Sequence, residues 1–211
     1  MPTNNPPHAV QAGSLVYLRY PQARDHDTFL KLRNTNRDFL QPWEPRAPAG
    51  FDAFGEDQFR WILKICKSPD QERFFIFSRN DDTIVGQISL GAIIRGPFLN
   101  AFVGYWLGRE YTGKGYMTQA LKLLMQHAFL TLGLHRLEAN IQPQNEPSKA
   151  AARRAGFVLE GYSPRYLKID NVWTDHERWA ITIEDWHQLR EERKHAQTGT
   201  QPHTAKARPK N

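Results

Sequence analysis

Apolar positions along the chain recur in two periods, and their order sketches a mixed fold. Residues 15–20 (LVYLRY) read as a strand that Pro21 breaks, and a helix is expected from about Asp25 through Leu30 and Leu32. Residues 39–45 carry Pro42 and Pro45 on either side of Trp43, which makes a loop or short helical turn bearing two large aromatics. Phe59, Ile62, Leu63 and Cys66 share one face of a helix expected over 56–67. The run 74–77 (FFIF) reads as a buried strand, 80–82 as a hairpin turn and 84–90 as the partner strand. A turn at Arg95, Gly96 and Pro97 leads into an aromatic and β-branched strand over 102–107. Met117, Ala120, Leu121, Leu124, Ala128 and Leu132 then recur at helical spacing up to Gly133. Strands follow at 135–141 and 157–159, separated by a helix that Asn145 caps, Pro147 opens and Gly156 ends. A turn at 169–171 and a long strand over 172–183 complete the series. Consecutive strands joined by tight turns make an antiparallel meander, so the fold class is α+β, an α/β sandwich of one sheet flanked by helices.

The chemistry gathers between the strand at 102–107 and the helix that follows. Gly113 and Gly115 stand at that helix entrance, where backbone can approach a ligand and first-turn N–H groups lack intrahelical partners. With the positive end of the helix dipole, this is an anion site suited to phosphate. Residues 108–114 begin a nucleoside-triphosphate loop, but Gly115 stands where a magnesium-binding hydroxyl is needed. A dinucleotide fingerprint fails as well, because its third glycine falls on Thr118. The remaining pattern resembles the pyrophosphate loop of the GNAT N-acetyltransferases, whose backbone amides hold the diphosphate of acetyl-coenzyme A. Glu110 departs from that family, which usually has Gln or Arg there.

Composition narrows the class without changing it. The 211 residues suit a single domain, and the 40% hydrophobic and 24% charged content is ordinary for a soluble protein. A lone Cys66 excludes a disulfide framework and a cysteine metal site, and neither a membrane span nor a signal peptide is legible. A cytoplasmic protein, free of membrane and bound metal and acting as a monomer or homodimer, is the expectation. Six of the basic residues and two acidic ones lie in 187–211, so that end carries +4 of the net charge of +6. Residues 1–13 and 187–211 are expected to be disordered, flanking one domain over 14–186. The basic tail could make a weak electrostatic contact with RNA.

Further blocks carry the resemblance across the domain. Leu134 to Glu138, Asn145 with Ser148, Ala155-Gly156-Phe157 and Glu160-Gly161-Tyr162 are similar to the second half of a GNAT domain. Together with residues 36–45 (NRDFLQPWEP) they resemble the RimJ/RimL group, the ribosomal-protein-alanine N-acetyltransferases. Arg95 to Phe98 and the stretch from Tyr166 to His176 resemble its RimJ branch. The resemblance implies a central, mixed, mostly antiparallel sheet with acetyl-coenzyme A as co-substrate. The cofactor would be held by Gly113, Lys114, Gly115, Tyr116 and Met117, with Asn145 and Ser148 on its pantetheine arm. A splayed strand at Trp106, Leu107 and Gly108 would offer a backbone N–H to the thioester oxygen.

Acetyl transfer needs a deprotonated amine, donors for the developing oxyanion and a proton for the leaving thiolate. Glu138 is the first candidate for the base, its alternative being a structural partner of Arg136. Ser148 is the candidate acid, because the tyrosine some relatives use falls on Ala152 here. Asp175 and His176 form a second acid–base candidate, although neighbours on a strand face opposite sides. Phe39, Trp43 and Glu44, with Tyr105 and Asp175, are expected to bind the acceptor, aromatic walls and a carboxylate suiting an α-ammonium group. The expected acceptor is the N-terminal amine, alanine by resemblance, of a protein such as a ribosomal protein. A small amine such as an aminoglycoside or polyamine, and a non-catalytic coenzyme A-binding module, remain alternatives.

Overall fold

The computed structural model describes residues 6–198. The strands are β1 (Gln11–Ala12), β2 (Val16–Arg19), β3 (Lys67–Ser68), β4 (Gln71–Ser78), β5 (Ile84–Ile94), β6 (Asn100–Leu107), β7 (Arg136–Ile141), β8 (Val158–Ile169) and β9 (Val172–Thr182). The helices are α1 (His26–Thr35), α2 (Arg37–Leu40), α3 (Glu56–Ile65), α4 (Tyr116–Leu130), α5 (Glu146–Ala155) and α6 (Ile183–Thr198). Among the described residues the strands form one sheet in the order β1-β2-β4-β5-β6-β7-β9-β8, with β3 also on β4. Every pairing is antiparallel except β6 with β7, which is parallel. A mixed, mostly antiparallel sheet between helices is the architecture the sequence led us to expect.

The unbroken apolar run in β4 follows from burial on both faces. Phe74 and Ile76 point to the core beneath α4, whereas Phe75 and Phe77 point to a second core. There Phe29 of α1 stacks on Phe75 at 4.9 Å and meets Phe59 of α3 at 5.6 Å. On the first face α4 buries Ala120, Leu121, Leu124 and Ala128, and α5 adds Ala151, Ala152 and Ala155. Two layers of helix thus clamp the sheet and hold its middle strands, β5 and β6, rigidly beneath the site.

Three boundaries differ from the sequence reading. Within the N-terminal stretch expected to be disordered, Gln11 and Ala12 pair with Leu18 and Tyr17. That short strand covers the open edge of β2, and the Gln119 side chain accepts from the amides of Leu15 and Val16 at 2.7 and 2.8 Å. The tail expected from residue 187 begins instead as α6, so the domain border at Trp186 falls inside a helix. Trp186 is buried against Phe129 at 5.5 Å and Leu189 packs on the same core, which secures the helix where composition alone shows mostly charge. Residues 199–211, and with them the remainder of the expected basic tail, lie outside the described residues. The strand expected at 157–159 runs on to Ile169 as the exposed outer strand, bulged near Gly161 and again between Ser163 and Leu167. Pro164 is tolerated there because an edge strand needs only one of its ladders.

Trp186→Ala removes the buried anchor of α6. A loss of about 3–5 kcal/mol is expected in urea unfolding, the cost of truncating a buried tryptophan, and an unchanged midpoint would show that Trp186 does not anchor the helix.

Candidate active site

The site is built where β6 runs out. After Leu107 the chain makes a short 3-10 turn (Arg109–Tyr111), then Gly113 and Gly115 adopt left-handed φ values of 74° and 79° before α4 starts. Side chains rarely take that conformation, and Gly115 is the N-cap, with no side-chain cap of its own. Among the described residues, none of the amides from Gly113 to Thr118 donates to a protein acceptor. These amides and the helix dipole form an anion cradle, with Lys114 beside it. Asn36 fixes the loop from across the sheet. Its Oδ1 accepts from the Arg109 amide at 2.7 Å, and its Nδ2 donates to Glu110 at 3.3 Å. The unusual Glu110 therefore serves the loop's support.

A cavity of about 240 Å³ opens in front of the cradle. Tyr105, Trp106 and Leu107 form one wall, and Gly113, Gly115, Tyr116 and Met117 the cradle end. Asn145, Ser148 and Arg154 face them from α5, and Phe39, Trp43 and Glu44 close the far end. A second cavity of about 160 Å³ adjoins it, sharing Trp43, Tyr105, Asn145 and Ser148. It lies where β6 and β7 part. Their parallel pairing spans only Asn100–Phe102 against Arg136–Glu138, so the later residues of both strands leave backbone groups facing a gap.

The ladder on the other side of β6 decides which amides those are. The Gly108 N–H donates to the Val85 carbonyl at 3.0 Å. Antiparallel pairing alternates, so the amides of Trp106 and Gly108 face β5 while those of Tyr105 and Leu107 face the gap. Within the expected donor segment, Leu107 is thus the residue with a free N–H, and Gly108 and Trp106 are not.

Several expected site residues lie elsewhere or are already engaged. Glu138 lines neither cavity; Arg136 Nε donates to it at 2.9 Å, and the same guanidinium bonds Glu160. The hydrogen bonds from Arg136 hold the Glu160 carboxyl below its ordinary range. Asp175 points away from the gap, accepting from the Tyr162 hydroxyl at 2.5 Å and the Arg165 amide at 2.7 Å. Those bonds, that from Tyr162 foremost, lower its pKa. Glu44 does line the cavity, but both its oxygens accept from the buried Arg33 at 2.7 and 2.8 Å. Arg33 is in turn held against the rings of Phe54 at 4.2 Å and Trp106 at 5.0 Å. Lys114 stands outside the lining, its ammonium 5.6 Å from the Tyr111 ring, and Phe39 carries the Arg109 guanidinium at 4.9 Å.

Asn145 caps α5 by accepting from the Ser148 amide at 3.2 Å while lining both cavities. Ser148 Oγ donates to the Tyr105 hydroxyl at 2.8 Å. Burial pushes the Tyr105 phenol up to about 12, the Ser148 bond opposing this more weakly. Tyr105 and Ser148 are thus a coupled hydroxyl pair on the wall between the two cavities. Three further residues went unassigned in the sequence reading. Arg154, Asn140 and Gln142 belong to no motif in the sequence, and all line the cavities. His176, the partner of Asp175 in the second acid–base candidate, is buried on the gap side of β9.

The comparisons with known proteins agree with this geometry. The Acetyltransferase (GNAT) domain family matches residues 16–158. A probable N-acetyltransferase of Bacillus subtilis, YjcK, is 37% identical over 82% of this chain and 97% of its own. The [ribosomal protein uS5]-alanine N-acetyltransferase of Escherichia coli is 34% identical over 72% of this chain and 79% of its own. Among solved structures, Mycobacterium smegmatis RimJ in complex with CoA-disulfide superposes with a TM-score of 0.75 at 32% identity. That match covers 84% of this chain and 88% of the other. An unpartnered amide cradle, a parted parallel strand pair and a family match over most of the domain lead to one conclusion: the chain belongs to the GNAT superfamily and is an acetyl-CoA-dependent N-acetyltransferase with RimJ-type relatives.

Proposed function

We propose that the enzyme acetylates the α-amino group of a protein N-terminus, alanine in a ribosomal protein being the foremost candidate. The observation that carries this is the charge of the acceptor end. Among the described residues lining either cavity, Glu44 is the one carboxylate, and Arg33 already neutralises it. A polyamine or aminoglycoside would bring several cations to a wall with nothing to pair them. An α-amine has an ordinary pKa near 8 and reaches the site partly neutral, which suits the aromatic walls of Phe39 and Trp43. The uS5-alanine and ribosomal-protein-serine acetyltransferases among the relatives support the same reading.

The amides of Gly113 to Thr118 would hold the diphosphate of acetyl-CoA, and Asn145 would face its pantetheine arm. Acetyl-CoA supplies the thioester whose carbonyl the amine attacks. The Leu107 N–H is the donor placed for the developing oxyanion. The Tyr105 hydroxyl, which donates a long 3.3 Å bond to the Ser148 carbonyl, would turn that hydrogen to the departing sulfur, with Ser148 Oγ supporting it. A phenol held near 12 keeps its proton, so it stabilises a thiolate by donating a hydrogen bond and does not protonate it outright.

Incubation with labelled acetyl-CoA, a set of N-terminal peptides and spermidine tests the acceptor. Label is expected on the α-amine of alanine-initiated peptides, and preferential labelling of spermidine would overturn the reading. Gly115→Val forces a β-carbon into a left-handed position beside the cradle. Coenzyme A affinity is expected to fall about 30-fold, equivalent to about 2 kcal/mol of helix-terminus stabilisation, with calorimetry as the measurement. Tyr105→Phe should lower kcat by roughly 5- to 150-fold, the worth of a buried hydrogen bond of about 1–3 kcal/mol, and leave coenzyme A affinity unchanged.

A further inference from the structure

The gap between β6 and β7 holds a group that neither cradle nor hydroxyl pair accounts for. His176 is 3% exposed and lines the second cavity together with Tyr105, Ser148, Trp43 and Asn140. Its Nδ1 lies 3.0 Å from the Thr174 carbonyl oxygen. A carbonyl only accepts, so Nδ1 carries the hydrogen and, in the neutral ring, the basic lone pair belongs to Nε2. Among the described residues no protein group bonds Nε2. The ring is set by Tyr166, 5.6 Å away between centroids, whose hydroxyl accepts from Asn140 Nδ2 at 3.2 Å. That bond leaves Asn140 Oδ1 without a partner, a second unused acceptor on the same wall.

Strand register places the acid and base functions on opposite faces. Asn140 stands opposite Arg178, so His176, two residues from Arg178, shares the face of Asn140 and Glu138. Phe102 pairs with Glu138, so Trp106 shares that face too, whereas Tyr105 turns to the face of α5 and Ser148. Where the strands part, the cavity between these faces is lined by both the hydroxyl pair and the imidazole.

We propose that His176 is the general base, receiving the proton of the acceptor amine on Nε2. The proposal rests on the acetyl-transfer reading of this site. The amine lone pair forms the C–N bond, and the C–S bond breaks with its electron pair leaving on sulfur toward Tyr105 and Ser148. The proton lost from nitrogen passes to Nε2 and is returned to the thiolate through solvent, so that amide and free thiol are the products. The charged and titratable groups on the ring's own face are Glu138 and Arg136 on β7, Arg178 on β9, and Glu160 and Tyr166 on β8. Tyr105 faces it across the gap. Arg136 bridges Glu138 and Glu160, so both carboxylates on this face are engaged in ion pairs and neither points at Nε2.

His176→Asn tests this, because the Asn amide can keep the donation to Thr174 but has no basic nitrogen. With whichever acceptor the wild type acetylates, kcat is expected to fall about 10²–10⁴-fold. Coenzyme A affinity and melting temperature should hold, and added imidazole or higher pH should restore part of the rate. A kcat within threefold of wild type overturns the proposal. Acetylation of spermidine in place of the peptide overturns only the acceptor reading, since the same variant is then compared on spermidine. Nitrogen-15 spectra of labelled histidine give a readout independent of any acceptor: the Nδ1–H tautomer is expected at His176, and Nε2–H overturns the assignment.

Discussion

The parting of β6 from β7 is the constraint on which the site depends. A sheet satisfies backbone N–H and C=O groups strand by strand, and a gap in its middle leaves groups that must find other partners. Here three parallel residue pairs are followed by separation, so the Tyr105 and Leu107 amides face a cavity instead of a strand. Buried donors without partners are costly, and a co-substrate carrying carbonyl groups is one way of satisfying them. The binding groove is thus a defect in hydrogen bonding that the rest of the fold holds open.

The surrounding elements keep that defect rigid. Phe75 and Phe29 on one face, and Leu121 and Leu124 on the other, fix the middle strands. Asn36 ties the glycine loop to the end of α1, and Gln119 ties the start of α4 to the N-terminal hairpin. The Arg33–Glu44 pair does the same for the acceptor wall. A buried ion pair adds little net stability, since desolvation offsets attraction, but removal of one partner strands the other. Its role is to tie the segment carrying Trp43 to α1, whose Arg33 lies over the Trp106 ring, and its consequence is an acceptor end without free negative charge.

The cradle was legible because local sequence encodes it. Two glycines between an aromatic strand and an apolar-periodic helix dictate left-handed turns and unpartnered amides, and the absent hydroxyl at Gly115 set aside the triphosphate alternative. The cap at Asn145 was readable for the same reason, since cap, proline and helix are neighbours in the chain. The long β8 was not, because an exposed edge strand containing Gly161 and Pro164 shows no apolar alternation. Nor was α6, whose anchor Trp186 makes sense only against Phe129.

Which side chains meet across the site belonged to the tertiary structure. Glu138 and Glu44 were reasonable carboxylates in sequence, yet Arg136 and Arg33 claim them; Arg136, two residues away on one strand face, was a foreseeable partner of Glu138, whereas nothing in the spacing pairs Arg33 with Glu44. His176 and Asp175 are adjacent, and the alternation of a strand guaranteed that they would face opposite ways without saying which would face the gap. The register of β9 on β7 decided that, turning His176 inward and Asp175 outward. The sequence by itself determined the backbone conformations that bind phosphate, because those depend on a few neighbouring residues. Only the sheet, by pairing strands dozens of residues apart, determined which charges cancel and which nitrogen faces the cavity.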